Sequence, residues 1–209
     1  MALATYDELI TSVTDWLERE DVAQARIKDF ISIAEKKVNR KLRVSEMEET
    51  GTLVTVGGVA TVSLPARFLQ MRDLTRQYGG YNVTLKSIVP AQGSKLSGTN
   101  SGAPTSYSVV GNTIRLYPVP DGVYTLDYTA YMADEELSDS NLTNVLVPQY
   151  SDILLYQAVS VGWAFLLEEQ KAAMWAQSAD MELKDANISA KRARVGHQPS
   201  MTQEAQYIV

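Results

Sequence analysis

The stretch PQYSDILLYQAVSVGWAFLLEEQKAAMWAQSADMELKDANISAKRA, residues 148–193, carries the longest helical signal in the chain, and its apolar residues are unevenly distributed. Projected at the helical angle, Ile153 to Leu167 leaves no clean polar face: Gln149, Asp152, Gln157 and Ser160 share their side with Tyr156, Trp163 and Leu167. A helix of this kind expects neighbours nearly all round. From Lys171 the pattern changes. Ala172, Ala176, Ala179, Leu183, Ala186 and Ala190 alternate by four and three, the spacing of a helix–helix seam, and small residues there permit close backbone approach. Met174, Met181 and Ile188 repeat every seven residues and point to a different side, so one helix offers two apolar edges. Two readings stay open at this point. Both edges are filled within one subunit, or one edge packs inside and the other on a neighbouring copy in a ring.

Working outward, the first fifty residues read as two helices. Thr5 with Glu8 forms a capping box that opens a helix through Leu9, Val13 and Trp16 to about Arg19. Asp21 with Gln24 caps a second, which places Ala23, Ile27, Phe30, Ala34, Val38 and Leu42 on one side. Lys28, Glu35, Lys36, Asn39 and Arg40 lie largely opposite.

From Thr50 the period becomes two. Gly57-Gly58, Gly79-Gly80 and Gly111-Asn112 each sit between runs of strand-forming residues, at 52–56 and 59–63, 74–78 and 81–85, and 107–110 and 113–117. All three read as hairpins, because such pairs supply the positive φ that matches strand twist. A further strand, residues 123–131, follows the turn Pro120-Asp121-Gly122. Residues 91–105, rich in Gly and Ser, read as a loop, and residues 134–144 as an acidic linker. Val147-Pro148 then starts the closing helices.

The order predicts an α+β fold: a helical bundle from N- and C-terminal helices with an inserted antiparallel β-rich domain. The expected boundaries are 1–49 for the N-terminal helices, 50–133 for the β domain, 134–194 for linker and C-terminal helices, and 195–209 for an extended tail.

Composition limits the chemistry. The chain has 209 residues, no cysteine, one histidine and a net charge of −6 with a pI near 4.9. Thiol catalysis is excluded, and so is strong binding to DNA by phosphate neutralisation. His197 alone, in the polar tail, cannot build a triad or a multi-histidine metal site. Asp134, Glu135, Glu136 and Asp139 match neither a calcium loop nor an acid–base pair and read as a solvated linker. Lys191, Arg192 and Arg194 suit a helix C-terminus. No enzyme, cofactor or metal site is expected. The most apolar window, Ile153 to Leu167, would span only ~22 Å against a hydrocarbon core of ~30 Å, so no membrane span is expected. No basic leader is visible at the start. Two features invite binding. Tyr107, Tyr117, Tyr124, Tyr128 and Tyr131 lie on strands, although strand propensity explains most of them, and Tyr207-Ile208-Val209 is a β-prone end suited to ordering on a partner.

Several segments, in this order, resemble tailed-bacteriophage head-to-tail adaptor proteins, also called head–tail connectors. They are Val62-Ser63-Leu64-Pro65-Ala66-Arg67-Phe68, Gly102-Ala103-Pro104-Thr105-Ser106-Tyr107 and Ile114-Arg115-Leu116-Tyr117-Pro118-Val119-Pro120-Asp121-Gly122, then Leu146-Val147-Pro148-Gln149-Tyr150 and Glu168-Glu169-Gln170-Lys171-Ala172-Ala173-Met174-Trp175. The likeness covers about residues 5 to 195. It implies a non-enzymatic protein of the virion neck, assembled in the host cytoplasm. That protein forms a homo-oligomeric, twelve-fold ring between the portal protein at the capsid vertex and a tail or nozzle protein, and genome DNA passes through it without sequence-specific binding. Within that picture Ala172, Ala176, Ala179, Leu183, Ala186, Met174, Met181 and Ile188 are the subunit-packing residues. Tyr207, Ile208 and Val209, in the segment Gln198 to Val209, are the expected portal contact. The alternative is a non-enzymatic binding module of a phage tail that recognises glycan or a receptor through its tyrosine-bearing sheet.

Overall fold

A computed structural model describes residues 3–19, 21–96 and 101–195. The element order is α+β: α1 (Tyr6–Leu17), α2 (Gln24–Lys41), β1 (Glu48–Val54), β2 (Thr61–Ser63), β3 (Phe68–Tyr78), β4 (Tyr81–Thr84), β5 (Lys86–Ser87), α3 (Pro90–Leu96), β6 (Ser106–Val110), β7 (Thr113–Tyr117), β8 (Thr125–Met132), α4 (Leu146–Phe165) and α5 (Glu169–Val195). The chain divides into two compact units. One is β-rich, comprising the described residues to Tyr6 with Glu46–Gln149; the other is helical, comprising Asp7–Ser45 and the chain from Tyr150. The residues 134–144, read from the sequence as a linker, belong to the β-rich unit.

In the helical unit, α4 has the environment its sequence demands. Ile153, Leu154, Leu155, Ala158 and Val159 are buried, and so are Gln157 and Ser160 on what would be its polar side. Each large aliphatic side chain removed from water this way contributes about 1.5–3 kcal/mol. The polar pair is tolerable only when bonded, and Ser160 Oγ donates to the Ala172 carbonyl of α5 at 2.9 Å. Against α1 the approach is closer still: a Cβ placed on Gly162 would stand 2.8 Å from Leu17 Cδ1. On α2 the buried side is wider than its alternation implies. Ile27, Phe30, Ala34 and Val38 are buried as expected, but so are Ile31, outside the expected alternation, and Glu35 and Asn39, assigned to the solvent side, at 1%, 1% and 7% exposed. Asp21 does not cap this helix. The N-cap is Ala23, without a side-chain bond, because both Asp21 carboxylate oxygens are taken by the Arg19 guanidinium at 2.7 Å.

The β-rich unit is a pair of four-stranded sheets, ordered β1-β8-β3-β4 and β2-β7-β6-β5. All pairings are antiparallel except β5 with β6. One buried cluster takes residues from both sheets: Leu74 and Leu126 from the first, Tyr107, Ile114 and Leu116 from the second, with Leu64 and Leu85. Two of the three expected hairpins form. Tyr78 pairs with Tyr81 across Gly79-Gly80, both glycines at positive φ (54° and 86°), and Val110 pairs with Thr113 across Gly111-Asn112.

The first expected hairpin does not form. Its two arms enter different sheets, β1 beside β8 and β2 beside β7. The intervening backbone bonds elsewhere: Thr55 Oγ1 donates to the Gly122 carbonyl at 2.9 Å and accepts from Tyr124 N at 2.8 Å, and Gly58 N donates to the Pro120 carbonyl at 2.7 Å. Two sheet-crossing segments, 55–60 and 118–124, are thereby tied together around a wholly buried Thr55. Residues 91–105 also differ from the expected loop, since α3 occupies their first part.

Gly162→Ala is expected to destabilise the helical unit by about 1–3 kcal/mol through overpacking against Leu17. Urea unfolding followed by far-ultraviolet circular dichroism measures this, and an unchanged midpoint would mean that α1 retreats freely from α4.

Candidate functional site

The last helix has two unlike sides. On the first seam, Ala172, Ala179 and Leu183 are buried and Ala176, Ala186 and Ala190 half-buried, so this seam lies against the remainder of the folded chain. Seven-residue steps along the other edge give the opposite result: Met174, Met181 and Ile188 are 53%, 53% and 46% exposed. Three large apolar side chains thus form a stripe along α5, in a chain that otherwise hides its large apolar residues on this helix.

The inner seam is held by specific contacts. Trp16 of α1, Tyr156 of α4 and Trp175 of α5 form a three-ring cluster, with centroids 5.7, 5.0 and 5.5 Å apart. Tilted pairs at these separations add about 0.5–1.5 kcal/mol each beyond burial. Phe30 of α2 meets Phe165 of α4 at 5.4 Å, and the Lys171 ammonium stands 4.1 Å from the Trp163 ring. Trp16 keeps 41% of its surface exposed, Phe165 56% and Leu167 86%. Leu167 also has φ of 63°, an unfavourable conformation for a side chain larger than glycine's, at the turn into α5.

Farther along, α5 closes the end of α2. The Asn187 side chain accepts from Arg43 N at 2.7 Å and donates to the Lys41 carbonyl at 3.1 Å. Lys41 Nζ pairs with Asp180 at 2.7 Å, and Arg194 donates to the Arg43 carbonyl at 3.2 Å. The last carbonyls of a helix have no partner within it, and here a distant helix supplies the donors. Asn187 and Asp180 were not singled out by the sequence pattern. A polar residue beside an apolar stripe gives no hint that its partner lies some 140 positions earlier.

Other sequence candidates resolve differently. Asp134, from the stretch read as a solvated linker, accepts from Val145 N at 2.7 Å and Leu146 N at 3.1 Å, and Asn144 Oδ1 accepts from Leu146 N and Val147 N, both at 3.1 Å. These two side chains cap the N-terminus of α4, where a carboxylate is favoured by the helix dipole. Tyr107, Tyr117 and Tyr131 are buried, at 5%, 1% and 5% exposed. Burial pushes the Tyr107 hydroxyl pKa up. Tyr124 and Tyr128, the other two strand tyrosines singled out from the sequence, are half-buried. Lys191, Arg192 and Arg194 lie exposed on the last turn of α5. Among the described residues no group of three or more His, Cys, Asp or Glu could hold a metal ion, and no helix is long and apolar enough to cross a membrane. His197 and the expected portal contact, Tyr207, Ile208 and Val209, lie outside the described residues.

The arrangement is a long helix packed on one side and carrying exposed apolar side chains on the other. The family model described as SU10 adaptor protein matches residues 4–202. Since this is nearly the whole chain, the protein belongs to that family, a phage head–tail adaptor family of structural, non-enzymatic proteins. Comparison with curated proteins finds no match.

Asn187→Ala is expected to cost about 0.5–2 kcal/mol, the loss of a helix cap with its partners left unpaired. Thermal unfolding checks the value. Stability equal to the unaltered chain would show that water replaces the amide without loss.

Proposed function

We propose that the chain is the subunit of a twelve-fold adaptor ring in the virion neck, joining the portal at the capsid vertex to the tail and lining the channel through which the genome passes. The observation that carries this reading is the exposed stripe of Met174, Met181 and Ile188 on a helix whose opposite seam is buried. A helix with one edge committed within its own subunit and one left apolar is suited to a heterologous contact, in which the stripe of one copy packs on a different surface of the next. Such contacts close into a ring when the rotation allows. The role of Ala172, Ala176, Ala179, Leu183 and Ala186 is then to fix the helix within the subunit, and that of the stripe to meet the neighbour.

Charge supports the channel. With a net charge of −6, the chain has little tendency to hold phosphates, and a passing duplex meets a surface that does not retain it. Tyr207-Ile208-Val209 is the segment assigned to the portal, as a β-prone end able to add to a sheet edge or apolar cleft of that partner.

Two experiments test the reading. Met174→Glu with Met181→Glu is expected to leave the circular dichroism of the subunit unchanged and to abolish rings in negative-stain micrographs of the protein mixed with its portal. Rings that persist in this double variant would remove the stripe from the subunit contact. Deleting residues 198–209 is expected to leave the fold intact and weaken portal binding by about tenfold or more, measured by interferometry. Equal binding by the shortened chain would place the portal contact elsewhere.

A further inference from the structure

The inner face of β3 carries a residue unlike its neighbours. Leu74 is buried in the cluster between the sheets, and two positions on, along the same face, Arg76 is 7% exposed. Its guanidinium lies 5.3 Å from the Tyr78 ring centroid and 5.4 Å from that of Tyr124. Nε donates to the Pro104 carbonyl at 3.3 Å. Nη1 is closed off from solvent and has no hydrogen-bond partner. The two rings offset part of the desolvation of the cation, but they do not supply the in-plane acceptors that its fork of N–H groups requires.

A buried guanidinium is ordinarily met by a carboxylate. None of the ion pairs found among the described residues includes Arg76. The same two tyrosines also line a groove of about 520 Å³ between residues 77–82 and residues 123–125. At its rim Tyr78 is 66% exposed, Tyr81 77% and Val123 74%. A positive charge without a paired carboxylate and a largely polar groove with tyrosines in its wall therefore have Tyr78 and Tyr124 in common.

We infer that Arg76, flanked by Tyr78 and Tyr124, is a binding site for a single carboxylate on an acidic segment of a partner protein. That segment lies in the groove against the exposed rings and its carboxylate supplies the acceptor that Nη1 lacks. Charge complementarity selects an anion. Burial selects its shape: a carboxylate on a slender stem can reach a shielded nitrogen, whereas a phosphodiester carries a sugar on each side. This inference is independent of the ring described above.

The test uses the full chain labelled with nitrogen-15. N-acetyl-glutamic acid α-amide is titrated while the Arg76 Nε–H signal and the Tyr78 and Tyr124 ring signals are followed. The expected result is a saturable shift of all three, with the neutral isostere N-acetyl-glutamine α-amide weaker by about tenfold or more. Arg76→Gln is expected to abolish the ring shifts. Because a buried position is altered, Arg76→Lys is measured beside it. That variant retains charge and stem, and is expected to respond severalfold more weakly while still preferring the acid. Equal response to acid and amide, no response to the acid, or ring shifts that survive in a folded Arg76→Gln would each overturn the assignment. So would an oligothymidine octamer that shifts the same signals as strongly as the acid.

Discussion

The burial of α4 on nearly every side is the constraint that the helical unit satisfies. A run such as Ile153-Leu154-Leu155 followed by Ala158-Val159 has no side to give to water, so other helices must surround it. Each does so by a different means. Leu17 of α1 fills the space that Gly162 leaves open, α2 sets Phe30 against Phe165, and α5 accepts Ser160 Oγ on a backbone carbonyl. Once α5 is fixed by its alanine seam, its far edge has no further duty within the packing of α4. The exposed stripe is thus a consequence of how completely the central helix is enclosed.

The β-rich unit obeys a different constraint. Two sheets can share one core only if the chain passes between them, and it does so at 55–60, at 64–67, at Leu85 and at 118–124. Thr55 ties the first and the last of these crossings with a donor and an acceptor on one hydroxyl. A wholly buried hydroxyl is costly unless both capacities are used, and here both are.

The legibility of the chain follows from the range of each interaction. Helices were readable because periodicity is local: the extents of α4 and α5, the buried seam of α5 and the distinct side occupied by Met174, Met181 and Ile188 all follow from residues within a few turns. Hairpins at Gly79-Gly80 and Gly111-Asn112 were readable for the same reason. Gly57-Gly58 was misread because a turn signal states that the chain reverses, not that its arms pair. The choice of β8 and β7 as partners was made by residues some seventy and fifty positions away. Asp21 fell to a competing local partner, Arg19. Asp134 and Asn187 were invisible as caps because each satisfies a backbone distant in sequence. Arg76 gave no signal, since one basic residue in an alternating strand reads as a solvent-facing position.

All three tryptophans of the chain, Trp16, Trp163 and Trp175, belong to the helical unit, and two of them share one ring cluster. Indole emission from this protein is therefore an optical report on the helices alone. The β-rich unit carries no indole, so a red shift of that emission on denaturation follows loosening of the helical unit whatever the sheets do.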